Sequence, residues 1–197
     1  MKNVSIGSLL AICLTTLGIG AAAFSSDIDP VPMPSQEAGA SVVIFVRHAE
    51  TVTSTSTTRD PVLSVQGEAR AEALARLLAN SKVSHLFASE YKRTQATLAP
   101  LGSARALNVS VHPARKADEL VSALRGLPAG SVAVVAGHSN TVPQLVTALG
   151  GQPENLVEHP THGKMLGETQ YDRLFVVPGP TFGASPAPTI ELRYGCE

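Results

Sequence analysis

Three things are scarce in this chain: cysteine, an excess of either charge, and apolar runs of membrane-spanning length. Lys and Arg number 15 against 16 Asp and Glu, for a formal net charge of -1 and a pI near 6.6. That balance excludes a general field for drawing in nucleic acid or an anionic membrane surface, so no nucleic-acid partner is expected and any anion must be held by a local cluster. The longest apolar run, from Ile6 to Ile19, falls short of the roughly 18 to 20 residues of a permanent transmembrane helix. With Lys2 before it and Ala21-Ala22-Ala23 after it, residues 1–23 read as a secretory signal, and a retained anchor is the alternative. The expected location is therefore exported, periplasmic or extracellular, with no stable membrane insertion after cleavage. Of the 2 cysteines, Cys13 leaves with the signal and follows Ile12, where lipid attachment calls for a small residue. Cys196 alone cannot form an internal disulfide, so stability must come from packing, and it reads as a free, incidental thiol.

What the chain does contain is enough apolar residue, 44% of 197, for one domain with a buried core. Residues 24–40 are rich in Ser, Pro, Gly and Ala, with Pro30, Pro32 and Pro34 alternating, and read as an extended linker. A single domain should occupy residues 41–197. Its patterns alternate: strand at 41–46, helix at 64–80, strand at 84–88, helix at 92–106, strand at 109–111, helix at 117–125, strand at 132–136 and helix at 141–149. Strands at 174–177 and 189–193 follow, joined by a turn-rich excursion around Gly179 to Pro186. The expected fold class is α/β, a three-layer α/β/α sandwich with a mostly parallel central sheet.

Such sheets carry their ligand crevice at the C-terminal ends of the strands. Arg47-His48 follows the first strand, Ser89 to Arg93 the second, and Gly137-His138 the strand at 132–136, so three distant polar clusters should share one edge. Phosphoryl transfer needs a nucleophile, fixed positive charge for the equatorial oxygens, and an acid for the leaving oxygen. His48 can attack phosphorus as a neutral imidazole, Arg47 and Arg93 offer permanently charged forked donors, and His138 adds a donor when protonated. A histidine after a buried strand is most often structural, so the Arg47-His48 pair gains force only through Arg93 and His138. No metal or cofactor is required by this set. Ser139 and Asn140 should start the following helix, where a capping side chain and free N–H groups favour an anion.

The run Arg47-His48-Ala49-Glu50-Thr51 resembles the Arg-His-Gly-Glu-Thr signature of the histidine phosphatase superfamily, in its phosphoglycerate mutase-like branch. Leu63 to Ala71 is similar to that family's Leu-Thr-x-x-Gly-x-x-Gln-Ala block, Ser89 to Thr97 to its Ser-x-x-x-Arg-Thr-x-x-Thr block, and Gly137-His138 stands where its second histidine belongs. The resemblance implies a phosphoglycerate mutase-like fold, phosphorylation of His48, and a phosphoryl group held by Arg47, Arg93 and His138. Two departures stand out: Ser54 occupies the place of a phosphate-contacting asparagine, and Ala49 replaces a glycine that could permit unusual backbone angles.

The proton donor is the most open assignment. In the family it is commonly a glutamate about one strand and one turn beyond the second arginine, which points to Glu119. A carboxyl there could protonate the leaving oxygen if burial raised its pKa. Asp118 and Glu119 could equally serve as the acidic first turn of a helix, and Asp118 and Glu50 are substitutes for the acid. The short connection from Glu119 to His138 implies an open pocket, which favours hydrolysis over transfer to a second hydroxyl. His159-Pro160-Thr161-His162 lacks further ligands for a metal site, His85 and His112 read as ordinary imidazoles beside strands, and Gly137 to Thr141 lacks the second glycine of a serine-hydrolase elbow.

The expected function is a metal-independent phosphomonoesterase working through phosphohistidine at His48, acting on a phosphorylated small molecule or envelope component. A phosphoprotein or phosphohistidine phosphatase is the enzymatic alternative, and a non-catalytic phosphate-binding module the alternative from another class. The sequence carries no reading of oligomeric state.

Overall fold

The computed structural model describes residues 39–53, 59–179 and 188–195. The expected signal, nearly all of the linker, Ser54 and Cys196 lie outside them. The elements run β1 (Val42–Arg47), α1 (Val65–Leu77), β2 (His85–Ala88), α2 (Lys92–Arg105), β3 (Val109–Val111), α3 (Ala117–Arg125), β4 (Val132–Gly137), α4 (Thr141–Ala148), β5 (Val157–His159), β6 (Gly163–Met165), β7 (Arg173–Pro178) and β8 (Ile190–Arg193).

A six-stranded sheet in the order β3-β2-β4-β1-β7-β8 forms the centre. β1 pairs parallel with β4, and β2 parallel with both β3 and β4; β7 and β8 close the other edge antiparallel. Strand alternation sends successive β1 residues to opposite faces. Val43 and Phe45 pack with Leu120, Leu124, Leu145 and Val146 of α3 and α4. Ile44 and Val46 pack with Leu74 of α1 and Leu98 and Leu101 of α2. Both faces of β1 are therefore dry, which is why the strand reads as an unbroken apolar run. The sandwich has three layers, as the alternation of patterns implied.

Differences from the sequence reading are local. α1 begins at Val65 because Ser64 caps it, its Oγ accepting from Gly67 N at 3.2 Å. Gly67 has a second role: a Cβ there would lie 2.0 Å from the Glu50 carbonyl oxygen, so only glycine lets the helix approach the segment after β1 this closely. α2 runs through Pro100 and ends at Ala106, which adopts φ 52°. The β5–β6 hairpin was not anticipated, since its short polar strands around His159 to Gly163 carry no alternating apolar signal; they pair in register Val157 with Met165. Asn140 holds the cap position of α4 without a side-chain capping bond. Instead Thr141 Oγ1 accepts from His138 N at 2.8 Å.

Candidate active site

β1, β2 and β4 end side by side, and the residues that follow them meet in a cleft of about 420 Å³ whose lining includes His48, Arg93 and His138. His48 is fixed from both sides. Its backbone N–H donates to Gly137 O at 2.8 Å, and its ring Nδ1 lies 2.8 Å from Ala49 O. A carbonyl only accepts, so Nδ1 carries the proton and Nε2 keeps its lone pair. Burial lowers the His48 pKa to about 3, against the smaller opposing effect of the Ala49 carbonyl, with Arg47 lowering it further. The ring is neutral at ordinary pH, the form a nucleophile requires.

Ala49 is wholly buried, its N–H donating to Thr97 Oγ1 at 2.9 Å. It is not among the residues of positive φ, so its place does not call for glycine. Glu50 turns away from the cleft and pairs with Arg70 of α1, Oε1 to Nη2 at 2.7 Å, while Arg70 Nη1 also donates to Tyr194 O. It anchors the loop after β1 to α1 and the end of β8.

Arg47 is 7% exposed. Its Nη1 donates to Gly167 O and Glu168 O, both at 2.9 Å, and its guanidinium lies 3.9 Å from the centre of the Tyr171 ring. Its Nε is buried and donates to no group among the described residues. A buried, unsatisfied charged donor costs enough to need a reason, and an incoming oxyanion supplies one. Arg93, at the start of α2, has Nη1 3.3 Å from Asp60 Oδ1 and its guanidinium 4.4 Å from the Tyr91 ring centre. Asp60 also accepts from Lys92 N at 3.1 Å, holding the first turn of α2 in place.

His138 stands with its ring centre 5.4 Å from that of His48. Thr94 Oγ1 lies 2.8 Å from Tyr91 O, to which it donates, so the Ser89 hydroxyl donates to Thr94 at 2.8 Å and accepts from His138 Nε2 at 2.9 Å. That leaves Nδ1 as an acceptor, 3.5 Å from Arg93 Nη2. Burial first, and then Arg93, lower the His138 pKa to about 4. The protonated donor expected from sequence is therefore not the resting form.

The structure brings Arg47, His48, Arg93 and His138 together and leaves Glu119 out. The Glu119 side chain is 58% exposed and pairs with Lys116 at 2.8 Å in the first turn of α3, the helix-terminal alternative. Asp118 is exposed on the same turn, and Glu50 is held by Arg70. No carboxylate lines the cleft among the described residues, and residues 54–58, outside them, are Ser and Thr only. Ser54 cannot be placed. No group of three or more His, Cys, Asp or Glu among the described residues is arranged to hold a metal ion.

Other site residues were not found from sequence. Asp60 stands in a turn, and the Gly167 and Glu168 contacts are backbone. His162 lies at the cleft rim because Leu166 N, just past the hairpin, donates to Ser139 O at 2.8 Å. It stacks on His159 at 4.8 Å, whose Nδ1 accepts from the backbone N–H groups of Thr161 and His162, so the two histidines build a turn. A larger hollow of about 780 Å³ between α1 and α2 is lined by Glu68, Glu72 and Ser103 and by no cation or histidine.

Comparison with known proteins agrees with this geometry. No curated protein matches the chain. The fold is shared with the protein histidine phosphatase SixA solved with tungstate, at TM-score 0.58 and 16% identity, covering 77% of this chain and 96% of that one. It is shared also with a mycobacterial glucosyl-3-phosphoglycerate phosphatase, at TM-score 0.52 and 16% identity over 80% and 100%. A third structure, mycobacterial hydrolase 1, aligns at TM-score 0.55 and 16% identity over 77% and 96%. The family model for the histidine phosphatase superfamily (branch 1) matches residues 43–120. That segment carries Arg47, His48 and Arg93, and over it the chain is similar to the histidine phosphatase superfamily, branch 1.

Proposed function

We propose that the protein is a phosphohydrolase that passes the phosphoryl group through His48. The observation that carries this reading is a neutral His48 ring, its proton fixed on Nδ1 by Ala49 O, standing beside a buried arginine with an unsatisfied Nε. Nε2 attacks phosphorus as the P–O ester bond breaks, and the leaving oxygen takes the electron pair and then a proton from solvent. The phosphoimidazolium keeps its Nδ1–H on the Ala49 carbonyl, which offsets the positive charge. Water then attacks phosphorus and releases a proton to solvent, the P–N bond breaks, Nε2 recovers its lone pair and phosphate departs. Arg47 and Arg93 stabilise the equatorial oxygens, and the dianion draws a proton onto His138 Nδ1, turning that acceptor into a donor.

His48→Ala should lower hydrolysis of an aryl phosphate by roughly 10⁴-fold or more, measured as phenol release with EDTA present throughout. Undiminished release would remove His48 from the mechanism.

With no carboxylate on the cleft among the described residues, substrates whose leaving groups need little proton assistance are favoured. This supports aryl phosphates and phosphoramidates, and with them a phosphohistidine phosphatase as the second reading. A series of aryl phosphates should show rates rising steeply as the leaving phenol becomes more acidic; a flat series would indicate an acid in the site. Export is proposed from residues 1–23, tested by sequencing the N-terminus of protein recovered outside the cytoplasm.

A further inference from the structure

The orientation of Arg47 depends on two backbone carbonyls, Gly167 O and Glu168 O, which together take its Nη1. The guanidinium is therefore held only as well as those carbonyls are. They lie between β6 and β7 in the run Gly167-Glu168-Thr169-Gln170, whose residues are half-buried or exposed and include no large apolar side chain. Packing alone does not fix such a run.

The Gln170 side chain supplies what packing does not. Gln170 grips Gly167 at both ends: its backbone N–H donates to Gly167 O at 3.0 Å, and its Oε1 accepts from Gly167 N at 2.9 Å. The same Oε1 accepts from Arg173 Nη1 at 3.1 Å. Both partners are donors, so the amide must present its oxygen here and not its nitrogen. Arg173 is wholly buried and firmly held. Its Nε and Nη2 donate to the two carboxylate oxygens of Glu191 on β8 at 2.6 and 2.8 Å, and its Nη1 and Nη2 to Asn155 O and Glu154 O. With the bond to Gln170, every N–H of its guanidinium has an acceptor, as a buried charge requires. Tyr171, the next residue along, lies against the Arg47 guanidinium, 3.9 Å from it to the ring centre. A line of hydrogen bonds thus runs from β8 at the sheet edge through Arg173, Gln170 and Gly167 to Arg47.

We propose that Gln170 is a positioning residue for phosphoryl transfer: it pins the turn that aims Arg47 and does not itself touch the phosphoryl group. The proposal rests on the phosphohydrolase reading and adds to it a residue that is not part of the cleft lining.

The test measures kcat/KM for 4-nitrophenyl phosphate. Gln170→Met, similar in length but without the oxygen, should lower it roughly 10-fold, the kind of loss that a slight misplacement of a catalytic group brings. Gln170→Glu keeps an acceptor for both donors and should stay within about 3-fold of wild type, a rescue that a steric role would not give. In an Arg47→Ala background Gln170→Met should cost less than about 2-fold, because the residue acts only through Arg47. If Gln170→Met does not fold, as read from urea unfolding, Gln170→Asn takes its place with the same expected loss, being one methylene too short to reach both donors. Wild-type rates in that variant, a loss in Gln170→Glu just as deep, or a loss of equal size with and without Arg47 overturns the proposal and leaves the phosphohydrolase reading standing. A wild-type protein that hydrolyses no aryl phosphate overturns both.

Discussion

The two sides of the cleft are built differently. On the strand-end side Arg47, His48 and His138 are each less than a tenth exposed, stand at the ends of core strands, and are held by backbone carbonyls and hydroxyls in fixed directions. On the facing side Arg115 and His162 are exposed and ride on turns outside the main sheet. The first side is rigid, dry and organised for one chemical group. The second is open and can change without disturbing the core.

Removing charge from the rigid side should have the largest effect. Arg93→Ala should reduce kcat/KM for an aryl phosphate by about 10² to 10³-fold, the usual loss of one donor to a transition-state oxyanion, with Arg93→Lys recovering part. A loss of only a few-fold would show that the strand-end cluster is not where charge develops.

Glu50 sharpens the contrast between support and chemistry. Glu50→Gln leaves Arg70, largely buried, without its carboxylate, and should cost about 3 kcal/mol of folding stability, read from urea unfolding. If Glu50 were instead the acid, stability would hold and the basic limb of the pH-rate profile would disappear.

The buried histidines predict how stability depends on pH. Both folded pKa values, about 3 for His48 and about 4 for His138, lie below the ordinary value near 6.5. Below pH 6.5 the unfolded chain therefore binds protons that the folded one refuses, and stability falls as pH drops, by up to about 1.4 kcal/mol per pH unit for each ring. Above pH 6.5 these two contribute no slope. Urea midpoints between pH 7 and pH 5 check this, and His138→Gln should remove about half of the slope.

The smallest effect is expected at Glu119. Glu119→Gln should change aryl phosphate turnover by less than about 2-fold, because its carboxylate faces solvent and Lys116. A loss of two orders of magnitude, concentrated in substrates with poor leaving groups, would restore it as the acid.

The same division decided what could be read from the sequence. Buried strands such as Val42–Arg47 announce themselves as apolar runs, and the crevice rule then places Arg47, His48, Arg93 and His138 on one edge without any tertiary information. Glu119 was misplaced because a position one strand and one turn on fixes a residue along the chain but not the face it takes; the carboxyl lies on the solvent side of the first turn of α3. Asp60 was missed because its part is set by a contact with an arginine distant in sequence. The carbonyls of Gly167 and Glu168 could not be found at all, since a backbone acceptor has no letter. His162 was legible only as a weak metal ligand, and what brings it to the rim is the docking of the segment after the hairpin, through the bond from Leu166 N to Ser139 O and the buried Leu166 side chain.

The central claim is covalent chemistry at His48, and rapid quenching in alkali after mixing with ³²P-labelled aryl phosphate tests it most directly. The account predicts transient label that is acid-labile and alkali-stable, maps to the peptide containing His48 and is absent from the His48→Ala protein. Turnover without any trapped label, or label that maps to another residue and persists in His48→Ala, would contradict it.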